Sequence, residues 1–522
     1  KSDSESICST DIASTSTDQS NSNNTALAFT ELSQNILPHK RLKRTYKAKQ
    51  KSDRPLNRER IEQITQRICE IITSGLLPFS FVKNEGLKNL INLFEPNYKI
   101  PCRKTITTRI ETLYELKLNK AKKNLESIIS IALTTNGWSS LAIDSYITYT
   151  GHYFDKDWTL CNVTLAIDEI TESHTADKLK DDITELMDKW DITNKVTGIT
   201  HDNTSNITRA VRNLEEQLQI YLNRCAAHTI QLAIKKGLDN NVCSSLLKKA
   251  SSIVSAFRQS PKRSNALQLY LQQTSQKLLT LFQSFLTRWN SSLAMLDRLL
   301  LLRRAVVAVI SNREYFNTRT AKNLEMIKKD WCRCEVLVKL LKPLQLTTTV
   351  LCSEQQITIS MVQPLVASLI SKHLNSNQTD CMFATTFKNT VSIELVKRFS
   401  MEDPNDEESI DNLPVLIAQM ASLLDPRYKN LKFEFSEQIK HRIQSMIRSK
   451  ILSVNNFLTN VDNCYQIAKK TVLDELMGQF YDDDEDEFTR YLSEPQINHN
   501  ENPCLWWKAH ENVYPTISVL AK

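Results

Sequence analysis

No apolar run in this sequence of 522 residues approaches the roughly 18–20 residues that a membrane-crossing helix needs. Cysteine is present but unorganised. The 12 cysteines are scattered from Cys8 to Cys504 without the dense spacing of a disulfide scaffold, so most are expected to be reduced thiols. Cys332 and Cys334 form a C-x-C pair, yet no second pair and no matching histidines follow at zinc-finger spacing, which speaks against a metal there. Glycine is scarce, 7 in all, with few after Gly237. Apolar residues make up 41%, enough for substantial cores, and a chain of this length suggests three or four folding units. The sequence opens on Lys1 rather than methionine and carries no signal-peptide pattern there, so a piece of a longer chain is expected.

The net charge is only +7, but it is unevenly placed. Between His39 and Arg60 stand Lys40, Arg41, Lys43, Arg44, Lys47, Lys49, Lys51, Arg54, Arg58 and Arg60 against two acids, Asp53 and Glu59, so everything else is close to neutral. A concentrated basic arm is an electrostatic footprint for polyanions. Its run His39-Lys-Arg-Leu-Lys-Arg44 also fits an import signal, and a solvated linker is the plain alternative. Upstream, residues 1–38 are rich in Ser, Thr, Asn and Asp with little to bury, and disorder is expected.

Helical periodicity begins at Arg60, with Ile61, Ile64, Ile68, Ile71 and Ile72 on one face, and Gly75 and Pro78 end it. Helices are predicted again from Lys83 to Phe94 and from Lys104 to Ser127. The last opens with Arg103 and Lys104 and continues through Arg109, Lys117, Lys120, Lys122 and Lys123. A helix with a basic face reads as phosphate-contacting, with a charged solvent face as the alternative. From Ile129 to Gly237 the pattern changes. Ala142–Phe154 and Trp158–Ile170 alternate as strands, Asp177–Trp190 is amphipathic, Val196–Thr200 is a short strand, Asn203–Leu218 a helix, and Tyr221–His228 a strand and turn before a helix at Thr229–Lys236. This order predicts an α/β class with a mixed sheet in three layers. Beyond Gly237 helices dominate: Leu246–Phe257, Ser264–Phe285, Leu293–Asn312, Thr320–Leu341, Ile359–Lys372, Thr386–Phe399, Leu413–Leu424 and Phe435–Phe457. The acidic run Asp482–Glu487 reads as a solvated loop.

Two strand ends carry the residues of most chemical interest. Val196-Thr-Gly-Ile-Thr-His-Asp202-Asn203 ends in an acid, whereas Thr134-Thr-Asn-Gly-Trp-Ser-Ser140 has Asn136 where the pattern calls for one. Phosphodiester cleavage and strand transfer commonly use two divalent cations clamped by carboxylates at neighbouring strand ends. Mg²⁺ favours anionic oxygens, and an asparagine offers only a neutral carbonyl of similar shape. Asp202 is then the remaining metal ligand of a weakened Mg²⁺ or Mn²⁺ site.

Seven motifs fall in a fixed order: Thr134-Thr-Asn-Gly-Trp-Ser-Ser140, Ser173-His-Thr-Ala176, Asp202-Asn-Thr-Ser-Asn206, Cys225-Ala-Ala-His228, Thr287-Arg-Trp-Asn-Ser291, Leu424-Asp-Pro-Arg-Tyr-Lys429 and Asn502-Pro-Cys-Leu-Trp-Trp-Lys508 with Tyr514-Pro515. Together they resemble the hAT superfamily of DNA transposases, in particular the branch of BED-finger transposase-derived proteins, over about residues 60–522. The resemblance implies an RNase H-like fold carrying a long helical insertion. It puts the three catalytic acids at Asn136, at Asp202 and at a glutamate beyond Trp506–Trp507, which is expected past Lys522. It makes Cys225 and His228 a C-x-x-H element in which the histidine contacts DNA or assists proton transfer, a structural turn being the alternative. It pairs Arg288 with Trp289 as the contact to a flipped flanking base, although from the residues alone Trp289 reads as core. A BED-type zinc finger often precedes this architecture. Only Cys8 and His39 stand upstream, so Zn²⁺ is expected only if a finger lies before residue 1.

The expected division is a disordered tail at 1–38, a basic arm at 39–60, a helical DNA-binding module at 61–128, an RNase H-like α/β core at 129–238, an all-helical insertion at 239–499, and from 500 the opening of a dimerisation region with Trp506, Trp507, Tyr514 and Leu520 available for burial. The function expected is that of a domesticated or decayed transposase: a nuclear protein that binds double-stranded DNA, forms a homodimer or higher oligomer, takes no small-molecule substrate, uses no membrane, and lacks transposition activity. The alternatives are a cut-and-paste transposase and a protein-interaction scaffold.

Overall fold

A computed structural model of the chain describes residues 56–140, 144–170, 175–285, 289–401, 416–434, 436–461 and 486–522. The tail and the arm residues Lys40, Arg41, Lys43 and Arg44 lie outside the described residues, as do Ser173, His174, Arg288 and most of the acidic run. Contacts divide the chain into two units, one ending at Ser127 and the other beginning at Ile128.

The first unit holds α1 (Arg58–Ser74), a 3₁₀ turn (Phe79–Lys83), α2 (Glu85–Phe94) and α3 (Arg103–Glu126). Asn57 and Asn84 cap α1 and α2, their side chains accepting from Glu59 N at 3.3 Å and Leu87 N at 3.1 Å, which satisfies amides that have no partner inside the helix. The isoleucine stripe of α1 turns inward at Ile68 and Ile72, where Val82, Tyr98 and Ile106 meet it in a small core. Thr65 Oγ1 and the Tyr98 hydroxyl, 2.7 Å apart, share the hydrogen bond that lets that phenol be buried.

In the second unit the described strands form one five-stranded sheet in the order β3-β2-β1-β4-β5, built from β1 (Ile131–Ser139), β2 (Ser145–Phe154), β3 (Leu160–Ile170), β4 (Val196–His201) and β5 (Tyr221–Arg224). The pairs β1–β2 and β2–β3 are antiparallel, whereas β1–β4 and β4–β5 are parallel. This mixed sheet, with α4 (Ala176–Lys189), α5 (Ser205–Leu218) and α6 (Ala226–Leu238), meets the α/β expectation. Along β1 burial alternates: Ile131, Leu133 and Thr135 are buried, while Ala132, Thr134 and Asn136 are more open. The buried face is the one toward α4, because Tyr149 on β2 is buried and its phenol, raised chiefly by burial, also feels the charge of Asp182. Asn136 lies on the opposite face.

The helices that follow differ from the sequence expectation in their bounds. Helix α6 takes in Gly237 and ends one residue later at Leu238, and the glycine also serves a helix crossing: a Cβ there would lie 2.5 Å from Val391 Cγ2 on α14. After α7 (Asn241–Arg258), helix α8 (Pro261–Gln273) ends twelve residues short of the expected Phe285, with Ser275 in the left-handed region at φ 52°. Leu293–Asn312 separates into α9 (Trp289–Leu301) and α10 (Arg303–Ser311), and Thr320–Leu341 into α11 (Thr318–Leu324) and α12 (Lys328–Leu351). Then come α13 (Val362–Ser368), α14 (Met382–Arg398), α15 (Ile417–Leu424), α16 (Glu437–Val461), α17 (Glu487–Ser493), α18 (Pro503–His510) and α19 (Pro515–Ala521).

Packing splits these helices between two cores. One joins α6 through α14, from Ile230 to Phe399, and takes in Ala418. The other joins Met420, Leu423, Ile443, Tyr491, Trp507 and Ile517 to Trp158, in the β2–β3 turn, with Phe154 and Tyr221 against it. The region expected as one helical insertion therefore returns to the sheet after about residue 416. Trp158 fastens that return: it adopts φ 60°, stacks on Trp507 with centroids 6.0 Å apart, and its Nε1 donates to Glu511 at 2.6 Å.

Candidate functional site

Sheet register brings the two motif ends together. Leu133 lies opposite Ile199 and Thr134 opposite Thr200 on the parallel strands β1 and β4. Asn136 lies two residues beyond the last of these pairs on β1, and Asp202 directly follows the last residue of β4, so the two stand on neighbouring strands at the same end of the sheet. The Asn136 amide makes no hydrogen bond among the described residues. Asp202, 9% exposed, accepts on Oδ1 from the Thr204 amide at 3.1 Å and the Thr204 hydroxyl at 2.8 Å. That turn launches α5 and leaves Oδ2 without a protein partner among the described residues.

The C-x-x-H element sits beside it. Cys225 N donates to the His201 carbonyl at 2.8 Å, joining the end of β4 to the start of α6. Asn203 Nδ2 donates to Thr229 Oγ1 at 3.0 Å, and that hydroxyl donates to the Cys225 carbonyl at 2.9 Å. His228 is therefore carried in the first turn of α6, buried, next to the Asp202–Asn203 turn. The hydrogen-bonding gives the Cys225 turn a structural role whatever else the histidine does.

Sequence reasoning missed two features of this edge. His201 is fully buried, and its Nε2 meets no partner among the described residues; burial holds the imidazole below its usual range despite the Asp202 carbonyl beside Nδ1. A histidine directly before a strand-end acid was the available signal. On the Asn136 face, Trp138 stacks on Tyr146 with centroids 4.7 Å apart, and its Nε1 donates to Thr148 at 3.1 Å. The Gly-Trp after Asn136 pointed to it.

Other expected site residues stand in different surroundings. Trp289 is 6% exposed within the helical core, so its ring presents no open face for a base. Trp507 and Tyr514 are buried in the chain's own second core, and Trp506, half-buried, stacks on His510 at 4.0 Å. In the first unit Arg103 and Lys104 are exposed, whereas Arg109 holds Glu62 through both nitrogens, Nη2 at 2.7 Å from Oε2. Cys334 is buried, its thiol pushed up to about 12 by desolvation, while Cys332 is exposed. Two residues apart on a helix, these thiols point away from one another.

The donor set does not fit a two-cation clamp. Asp202 supplies one free carboxylate oxygen and Asn136 a neutral one, and no group of three or more His, Cys, Asp or Glu side chains is arranged to hold a metal ion among the described residues. No helix among them is long and apolar enough to cross a membrane.

Comparison with known proteins accords with this geometry. Residues 134–227 match the model of the ZBED1 RNase-like domain, and residues 223–340 that of the ZBED1 RNase-like helical domain. Over 487 residues the chain is 24% identical to a Zea mays protein that bears the AC transposase name, covering 85% of this chain and 58% of the relative. It is 23% identical to the Homo sapiens zinc finger BED domain-containing protein 4 (88% and 40% covered) and 21% identical to the Arabidopsis thaliana zinc finger BED domain-containing protein DAYSLEEPER (88% and 67% covered). The chain thus spans little more than half the length of the maize relative and less than half of the human one. These matches support a hAT-type, BED-finger transposase-derived protein.

Proposed function

We propose that this chain belongs to a nuclear DNA-binding protein that engages duplex DNA in a sequence-directed way, as a dimer or larger assembly, and does not cut it. The observation that carries the reading is Asn136 on the strand beside the one that ends at Asp202: these neighbouring positions carry one negative charge where a two-metal phosphodiester reaction needs at least two. An amide carbonyl neither holds Mg²⁺ as a carboxylate does nor helps to polarise a bound water. The transposase and BED-finger names of the relatives support DNA as the partner. The basic arm and the exposed start of α3 supply positive charge for phosphates.

The test is paired binding and nicking assays on duplex DNA with Mg²⁺ or Mn²⁺ present. Binding should weaken steeply from ~50 to ~200 mM salt, since several phosphates release their counterions, and no strand should be cut. Cutting by the native protein would establish the cut-and-paste transposase instead. Affinity indifferent to salt, with capture of a defined protein partner, would favour the scaffold.

A further inference from the structure

A cleft of about 570 Å³ opens beside the Asp202–Asn203 turn, and its charged wall is wholly basic. Arg209 and Arg212 come from α5, Arg224 from the last position of β5, and Arg398 from the last position of α14, with Asn203 and Thr208 between them. Neither an acid nor an aromatic ring lines it. Arg398 is held by Glu394 at 2.9 Å, whereas Arg209, Arg212 and Arg224 are exposed and have no ion-pair partner among the described residues.

We propose that this cleft seats the sugar-phosphate backbone of a DNA strand beside the Asp202–Asn203 turn. Like charges held together without a counter-charge raise the energy of the free protein, and an anion relieves that repulsion. Guanidinium groups bind phosphate oxygens through paired N–H donors, which makes arginine better suited to the task than lysine. Arg209 and Arg212, three residues apart, share one side of α5. Arg224 lies opposite His201 in the β4–β5 register, at the end of the sheet where the Asp202–Asn203 turn begins. With no ring to stack a base, the cleft holds backbone and carries no base preference of its own.

The inference rests on the DNA-binding reading, and its test separates the two. Binding of labelled duplex is measured by fluorescence anisotropy across a salt series for the native protein, for R209Q/R212Q/R224Q, and for the equally neutralising K322Q/K328Q/K329Q on exposed lysines of α11 and α12. Circular dichroism melts establish that all three are folded, as replacement of exposed side chains should allow. The cleft variant is expected to flatten the slope of log affinity against log salt by about 2–3, at ~0.9 for each lost phosphate contact, and to bind tenfold or more weakly. The lysine variant should change much less. R209K/R212K/R224K should recover most of the slope and only part of the affinity. If the cleft and lysine variants behave alike while the native protein binds with salt dependence, the cleft inference fails and the DNA reading stands. No binding by the native protein overturns both.

Discussion

Arg427 is buried against Asp425, two residues earlier in the chain, with Nη2 donating to Oδ2 at 2.7 Å and Nε to Oδ1 at 3.0 Å. Ser360 also donates to Oδ2 at 2.7 Å, and Gln496 Nε2 donates to the Arg427 carbonyl. The Leu424–Lys429 motif is thus a junction of the 3₁₀ turn at Ile359–Met361, the end of α15 and the segment after α17. Removing one partner of such a pair strands the other without compensation. Arg427→Met is expected to cost ~3–5 kcal/mol, read as a fall in denaturant midpoint, whereas replacing both residues with apolar ones should cost less. A loss below ~1 kcal/mol in the single variant would show the pair to be energetically idle.

Lys429, two residues on, is 1% exposed, and burial lowers its ammonium to about 8 although Nζ donates to the Tyr491 carbonyl and lies 4.8 Å from that ring. An unfolded lysine keeps its proton up to ~10.4. Between these values the unfolded chain binds more protons than the folded one, so Lys429 makes stability rise with pH across that window and contributes no slope below it. Other buried groups titrate above pH 9, so the comparison is with Lys429→Met, which keeps them. Stability of the native protein relative to this variant should increase from pH 7 to pH 9.5; a constant difference would refute the assignment.

Asn136→Asp should restore a divalent-cation site, because two carboxylates on neighbouring strands at one end of the sheet can share an ion. Without metal the variant should be less stable than the native protein, since like charges are brought close. Mn²⁺ should raise its melting temperature more than that of the native chain, with ~2.7 kcal/mol expected at a hundredfold excess over the dissociation constant. Equal responses of the two proteins to Mn²⁺ would mean that the residues are not aimed at a common point.

Gly237→Ala tests the crossing of α6 and α14. The new methyl would lie 2.5 Å from Val391 Cγ2 and 3.0 Å from Phe387 Cε2, both fully buried. Alanine favours helix, but overpacking a closed core costs typically ~1–3 kcal/mol. The variant should melt at a lower temperature, and a higher melting temperature would show that the crossing can open.

The sheet strands were readable because alternation along Ser145–Phe154 and Leu160–Ile170 is a local property, set by which side of the pleat each residue occupies. Helix interiors were readable for the same reason, their ends less so. Leu278, Leu281 and Phe282 continue an apolar pattern that resembles helix, yet the chain there is irregular, and Gln268 Nε2 donates to the Leu279 carbonyl at 3.0 Å. Gly237 read as a stop because a lone glycine weakens a helix, whereas its use is the approach of another helix.

By itself the sequence determined the alternation of strands and helices, the ordered motifs, and the identity of Asn136, because each of these is a matter of residue type and spacing. Tertiary structure alone decided which residues are gathered: the strands carrying Asn136 and Asp202 side by side in parallel, and Arg224 and Arg398 in the wall of one cleft across a gap of 174 residues. It also decided that Trp289, Trp507 and Tyr514 are core. An aromatic side chain is equally suited to a base, a partner or its own chain's interior, and only packing selects among the three.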